Sequence, residues 1–458
     1  MTKPMDLKKN DQYIIDITDI GNEGEGIGKI DGFTFFVDKA LPGEKVKIVA
    51  TKLKKNYGYG KLLEIISPSP LRTEPMCPIA YKCGGCSLQH LSYKGQLAYK
   101  TNKVKQNLER IGGLKDVEFL PALGMDNPTR YRNKAQYPVS SVNGELVYGF
   151  YAKHSHRVVP CDDCLINDQY NKNILSAIKA FAEQNKISAY DEEKHTGILR
   201  HIVIKNASHT GQIMVCLVVN TNDFNYKHQL VDTLSHLDKI KSIVVSYNTN
   251  KTNVILSNCI EVIYGGNTIC DTIGDLKFNI SPLSFFQVNP VQTEVLYKTA
   301  LDFANLKGDE VVIDAYCGIG TISLFLAQKA KKVYGVEIVP EAIEAAKENA
   351  RLNNITNAEF YVGKSEDIVP QLYNEQNVQP DVIVVDPPRK GCEASLLNLM
   401  LDIKPEKVVY VSCDSATLAR DLKILCEDKY TVRKVQPVDM FPQTGHVETV
   451  VLMSRVDK

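Results

Sequence analysis

Cys413 stands directly after the run Val408–Ser412, VVYVS, and ahead of a helical stretch, Ala416–Leu425. A short β-branched and aromatic run reads as a buried parallel strand. Open α/β sheets place their ligands at the carboxyl ends of such strands. A thiol there is positioned to be a nucleophile, with a small buried hydrophobe as the plain alternative. A second set of thiols is spaced for different chemistry. Cys77, Cys83 and Cys86 run as C-x5-C-G-G-C, and Cys161 and Cys164 form a later pair in PCDDC. Three thiols this close converge on one metal centre that needs a fourth ligand. Two matched pairs would suit zinc. A tight triplet plus one distant cysteine would suit an iron–sulfur cluster. Spacing leaves both open. His154 and His156 read as surface polar residues, because cysteines already supply the site.

The remaining candidates lie at the ends of strands in the C-terminal half. The strand Glu310–Ile313 runs into DAYCGIGT, with Gly318 and Gly320, and then a helix, Ile322–Ala330. Glycines between a strand and a helix let the backbone approach a ligand at the helix N-terminus. The strand Lys332–Val336 ends in Glu337, 19 residues past Gly318. An acid at that spacing can accept hydrogen bonds from both ribose hydroxyls. The strand Asp381–Val385 ends in Asp386-Pro387-Pro388-Arg389, a rigid turn with no spare N–H groups on its prolines. A dinucleotide site would more often complete GxGxxG, and Ser323 stands where the third glycine would be. S-adenosylmethionine is the better fit.

A methyl donor beside a strand-end cysteine narrows the reaction. C5 of uracil is a poor nucleophile. Thiolate addition at C6 creates an enolate at C5 that can attack a sulfonium methyl, and a second base must then remove the C5 proton. MFPQTGHVETV supplies Glu448 just before a closing strand. A carboxylate in an apolar site has a raised pKa suited to proton transfer near neutral pH. SPLSFFQVN supplies Phe285, Phe286 and Gln287, an aromatic face and an amide for a flipped base. Solvated strand residues and core phenylalanines are the bland readings of these two stretches.

These groups need a scaffold of several domains, which 458 residues can supply. Hydrophobic content of 44% and charge of 24% are those of a globular chain, and 54 basic residues against 54 acidic ones name no partner. MTKPMDLKKNDQ lacks an apolar signal core, and no long uncharged apolar run follows. Neither secretion nor a membrane span is expected, and the twelve cysteines of a cytoplasmic chain are not expected to form structural disulfides. Residues 1–66 alternate in short strands with glycine turns and read as a closed barrel. Its segment KLKKNYGYGK interleaves lysines with Tyr57 and Tyr59, a pattern suited to phosphate contact and base stacking. Four prolines between Ser67 and Pro78 mark a boundary. A lysine-rich helix, Leu91–Ile111, and an α+β region follow, and from Ile280 strands and helices alternate as in a doubly wound sheet.

Together these stretches resemble bacterial 23S ribosomal RNA (uracil-C5)-methyltransferases with an N-terminal TRAM domain. The matching motifs are GNEGEGIGKIDGFTFFVDKALPGE, CPIAYKCGGCSLQHLSYKGQL, SPLSFFQVN, DAYCGIGTISL, GVEI, VVDPPRKGC, VSCDSATLARDL and MFPQTGHVETV. The resemblance implies a multidomain α/β protein: an OB-like TRAM barrel over 1–66, a central α+β domain with a [4Fe-4S] cluster over 67–275, and a Rossmann-like class I methyltransferase domain over 276–458. It implies Cys413 as nucleophile and Glu448 as the base for the C5 proton. Gln287, Tyr316, Glu337 and Asp386 would bind S-adenosylmethionine. Cys77, Cys83, Cys86 and Cys164 would ligate the cluster, leaving Cys161 as the odd cysteine. The helix near 92–112 would pack on the catalytic domain. A monomer acting on 23S ribosomal RNA is expected, because the family's tRNA members typically lack the TRAM module and the cysteine cluster. The same chemistry on the tRNA T-loop is the alternative. A non-catalytic RNA-binding iron–sulfur protein would not need Cys413 and Glu448, and an amino-methyltransferase would not need Cys413. One departure is Ser415, where the family commonly has proline two residues after the nucleophile.

Overall fold

The computed structural model describes residues 7–427 and 429–456. Much of the N-terminal stretch read for a signal core, residues 1–6, lies outside the described residues. No helix among them is long and apolar enough to cross a membrane.

The first five strands, Gln12–Ile20, Gly26–Ile30, Phe33–Val37, Lys45–Leu53 and Tyr57–Ser67, form a closed barrel. Alternation along them sends Ile15, Ile17, Phe35, Val37, Val46 and Ile48 inward. The fifth strand starts earlier than the sequence pattern suggested. Consequently Tyr57 and Tyr59 are strand residues on the outer face, grouped with Phe36 at ring separations of 5.7 to 5.9 Å.

A seven-stranded sheet follows, built mainly from residues 134–265. Its strands Leu199–Asn206 and Ile213–Val219 are buried along their whole length because both faces are covered. Successive side chains go to opposite faces. Ile202, Ile204, Val215 and Leu217 pack under the helices Asn171–Gln184 and Lys227–Leu234. Val203, Met214, Cys216 and Val218 join the core of the C-terminal half. The stretch Leu146–Val159 is a hairpin. Strands Glu145–Tyr151 and Val158–Pro160 are separated by a turn in which His154 takes a left-handed backbone.

The last sheet has eight strands in the order Ala358–Val362, Lys332–Glu337, Val311–Asp314, Val382–Val385, Lys407–Ser412, Glu448–Arg455, Tyr430–Val438, Glu118–Phe119. The first five are parallel, so their carboxyl ends share one edge. Glu448–Arg455 runs antiparallel to both neighbours and begins at that same edge. The outermost strand comes from far upstream and pairs parallel with Tyr430–Val438. Upstream chain also supplies the helix Tyr93–Arg110, which buries Val104 and Leu108 in this domain's core against Leu418 and Leu422. A hairpin, Ile269–Ile273 and Leu276–Ile280, packs into the same half, and the expected boundary at 275/276 falls in its turn.

Candidate active site

Five parallel strands deliver Asp314, Glu337, Gly363, Asp386 and Cys413 to one edge as their last or next residue. Ser412 pairs with Thr449 in antiparallel register, so the next residue, Cys413, falls opposite Glu448. The two residues expected to do chemistry therefore lie side by side, 35 residues apart in sequence.

A cavity of about 470 Å³ opens beside them. Gln287, Tyr316, Glu337 and Asp386 all line it, with Phe285, Phe286, Gly318 and Thr321. Gly318 and Gly320 have positive φ, 54° and 85°, which lets the loop turn tightly into the helix Thr321–Ala327. The Gly318 N–H donates to one carboxylate oxygen of Glu337 at 3.2 Å and the Val339 N–H to the other at 3.1 Å. Sequence reasoning assigned nothing to the loop after Ala358–Val362, yet Gly363, Lys364, Ser365 and Glu366 form one wall. Its place after a strand end was the available signal. Asp314 was also passed over; it is fully buried and accepts a hydrogen bond from the Ser323 hydroxyl at 2.6 Å.

Cys413 and Glu448 flank this cavity rather than line it. Glu448 is 3% exposed, and its Oε2 has no hydrogen-bond partner among the described residues. Burial first, then the charge of Asp386, raises its carboxyl well above the usual range, while Arg389 opposes. Burial and then Asp314 push Asp386 up to about 7. Burial, then Glu448 and Asp386, push the half-buried Cys413 thiol up to about 12, again against Arg389. Burial and mutual repulsion thus disfavour ionisation of the acids at this edge, and a cationic ligand would be stabilised there.

The loop that carries Cys413 is fixed by side-chain contacts on either side of Ser415. Asp414 caps the helix Ser415–Cys426 by accepting from Ala416 and Thr417 N–H groups at 2.9 and 3.1 Å. Ser415, in the first helical position that proline favours, accepts from Asn107 Nδ2 at 2.8 Å.

Cys77, Cys83, Cys86, Cys161 and Cys164 surround a separate cavity of about 270 Å³. All are free thiols. Burial raises Cys77, Cys83 and Cys86, the last to about 12. Cys164 goes the other way, down to about 7, because Cys161 hydrogen-bonds to it. Among the described residues no group of three or more His, Cys, Asp or Glu side chains is arranged to hold a metal ion. The expected [4Fe-4S] centre is therefore not established by the geometry.

Comparison with known proteins names the architecture. Residues 92–456 match the model of the tRNA (uracil-5-)-methyltransferase family, and residues 8–63 match the TRAM domain. An uncharacterized RNA methyltransferase of Clostridium tetani is 55% identical over 99% of this chain and 98% of its own length. One from Halalkalibacterium halodurans is 51% identical over 98% of each. Among solved structures, the Pyrococcus abyssi tRNA (uracil-54, C5)-methyltransferase in complex with S-adenosyl-L-homocysteine aligns with a TM-score of 0.78 and 28% identity, covering 96% of this chain and all of that one. The chain belongs to the tRNA (uracil-5-)-methyltransferase family and carries a TRAM domain ahead of its catalytic half.

Proposed function

We propose that this enzyme transfers a methyl group from S-adenosylmethionine to C5 of a uridine in 23S ribosomal RNA. The observation that carries the reading is the strand register that sets Cys413 opposite Glu448, whose buried Oε2 has no hydrogen-bond partner among the described residues, beside a cavity lined by Gln287, Tyr316, Glu337 and Asp386. Those residues suit the cofactor: Glu337 for the ribose hydroxyls, Asp386 and Glu448 for positive charge. S-adenosylmethionine supplies an electrophilic methyl on a sulfonium. The chain's own residues do the rest. Cys413, having lost its proton to solvent, bonds as thiolate to C6, the displaced C5–C6 pair makes C5 nucleophilic, and C5 would take the methyl as the sulfonium sulfur keeps the bonding pair. Glu448 accepts the C5 proton, and the electron pair of that C–H bond restores the ring double bond as the C6–S bond breaks. Burial and neighbouring carboxylates raise both Glu448 and Cys413, and positive charge beside them would favour their ionised forms.

Thiols ranged around a cavity, rather than meeting at a point, suit a multi-atom cluster better than a single zinc ion. We assign Cys77, Cys83, Cys86 and Cys164 to a [4Fe-4S] cluster, with the lowered Cys164 favoured over its buried neighbour Cys161. A bound cluster would order the loops that carry these thiols.

A second reading has an observation behind it. The P. abyssi tRNA enzyme covers 96% of this chain, too much to omit residues 1–90, so the N-terminal region does not by itself separate ribosomal from transfer RNA. Mapping 5-methyluridine in both RNAs from cells lacking the protein decides between them. Loss of a 23S site supports the first reading. Loss only in the tRNA T-loop replaces it with the second.

A further inference from the structure

We propose that the helix Tyr93–Arg110 is a brace that sets the two catalytic loops separately, with Asn107 the positioning residue for the Cys413 loop and Lys103 the positioning residue for the Glu448 loop. The inference rests on the roles given above to Cys413 and Glu448.

Gln96, Lys100, Lys103 and Asn107 recur every three or four residues and so share one helix face. Each reaches a loop at the catalytic edge. Asn107 Nδ2 donates to the Ser415 hydroxyl at 2.8 Å, two residues after the nucleophile. Lys103 Nζ donates to the Gly445 carbonyl at 2.9 Å, three residues before the base. Lys100 Nζ donates to the Phe441 carbonyl at 3.0 Å. Gln96 and Gln443 clasp each other, side-chain amide to side-chain oxygen at 3.0 Å and backbone N–H to Gln96 Oε1 at 2.9 Å. That clasp holds Gln443 at φ 71°, a conformation a glutamine adopts only when its surroundings enforce it.

The brace also carries the barrel. Lys103 Nζ donates to the Asn22 carbonyl at 2.9 Å as well, and the Tyr99 hydroxyl donates to Gly21 and Asn22 carbonyls at 2.8 and 3.0 Å. Gly445 is approached so closely that a Cβ there would sit 3.2 Å from the Asn22 oxygen. A single ammonium thus ties the barrel's glycine loop to the segment leading into Glu448. Asn107 touches only the other loop. Displacement of a reacting group by about 1 Å costs on the order of 100-fold in rate, so each contact guards one chemical step.

The two steps leave different marks. Addition of Cys413 builds the covalent protein–RNA adduct, and proton removal by Glu448 lets it decay. The full-length enzyme is assayed with a 23S transcript and S-adenosylmethionine. Turnover, steady-state adduct on a denaturing gel and thermal unfolding are measured together. Lys103→Met should lower kcat about tenfold and raise the adduct fraction several-fold toward that of Glu448→Gln, with Lys103→Arg restoring both. Asn107→Leu should lower kcat with adduct at or below the wild-type level. Lys103→Gln serves where the methionine variant does not fold. The brace is overturned if Glu448→Gln traps adduct while Lys103→Met or Lys103→Gln does not, or if Asn107→Leu raises the adduct equally. If Glu448→Gln itself traps none, the assignment of the base has failed and the brace falls with it.

Discussion

A thiol held near 12 by burial and two carboxylates is a weak nucleophile until positive charge reaches it. Cys413 feels the charge of Glu448 and Asp386, and Glu448 feels that of Asp386, so a change at one of the three shifts its neighbours. Cys413→Ala should reduce methyl transfer to background while RNA affinity, measured by filter binding, stays within about twofold, since a single mid-site thiol contributes little to an RNA interface dominated by phosphate contacts. Glu448→Gln should accumulate the covalent adduct, because addition and methylation precede proton removal; turnover at the wild-type rate would remove the assignment. The same acids shape stability. Asp386 rises from 3.8 unfolded to about 7 folded, and Glu448 shifts in the same direction. The folded chain holds protons that the unfolded chain releases, so stability is greatest below the unfolded value and is lost as pH climbs through the folded one. Buried His90 and His201, pushed down to about 4, act in the opposite sense, so the acids are read by difference: between pH 5 and 7.5 the Tm of Glu448→Gln should gain on that of the ligand-free wild type as pH rises, and a constant gap between the two would contradict the raised Glu448.

At the scale of elements, the helix Tyr93–Arg110 was legible in sequence as amphipathic and rich in lysine, but not which lysine was buried. Lys100 is fully buried and pairs with Asp439, whose other oxygen accepts from the Tyr93 hydroxyl at 2.9 Å. No local pattern links residues 339 positions apart. Lys100→Met would leave the Asp439 carboxylate without its countercharge, a loss of about 3–5 kcal/mol for a broken buried pair. Urea unfolding should report it, and a change under about 1 kcal/mol would mean that the pair contributes no more than an exposed one. The strands and their chemistry were easier to read. Val382–Val385 and Lys407–Ser412 announce themselves by β-branched runs, and the acid or thiol that ends each is fixed by the strand's own length. Glu118–Phe119 could not be read, because two residues carry no periodicity and their pairing is set wholly by the edge they meet. Spacing alone did not separate Cys161 from Cys164; burial of Cys161 and the opposite directions of their pKa shifts do.

For the whole molecule, the cysteine cavity and the catalytic edge are linked through short connections. Ser87 and Leu88, next to Cys86, both donate backbone N–H groups to the Gln443 carbonyl at 3.0 Å. Protein purified without oxygen should carry iron and sulfide and absorb visible light, and Cys164→Ser should lose iron more readily than Cys161→Ser. Stoichiometric zinc without iron would displace the cluster assignment. The thread of the chain also has a bearing on descent. It leaves its mark on the catalytic sheet at Glu118–Phe119, departs to build the sheet of residues 134–265, forms a separate hairpin at Ile269–Ile280, and returns for the sheet's other seven strands. A gene fragment beginning at codon 276 would leave Tyr430–Val438 as a bare outer strand and lack the helix Tyr93–Arg110 that covers Leu418 and Leu422. Recombination could trade the nested sheet as a cassette only by rejoining the reading frame twice, whereas the barrel, visited once, can be grafted or shed at a single junction.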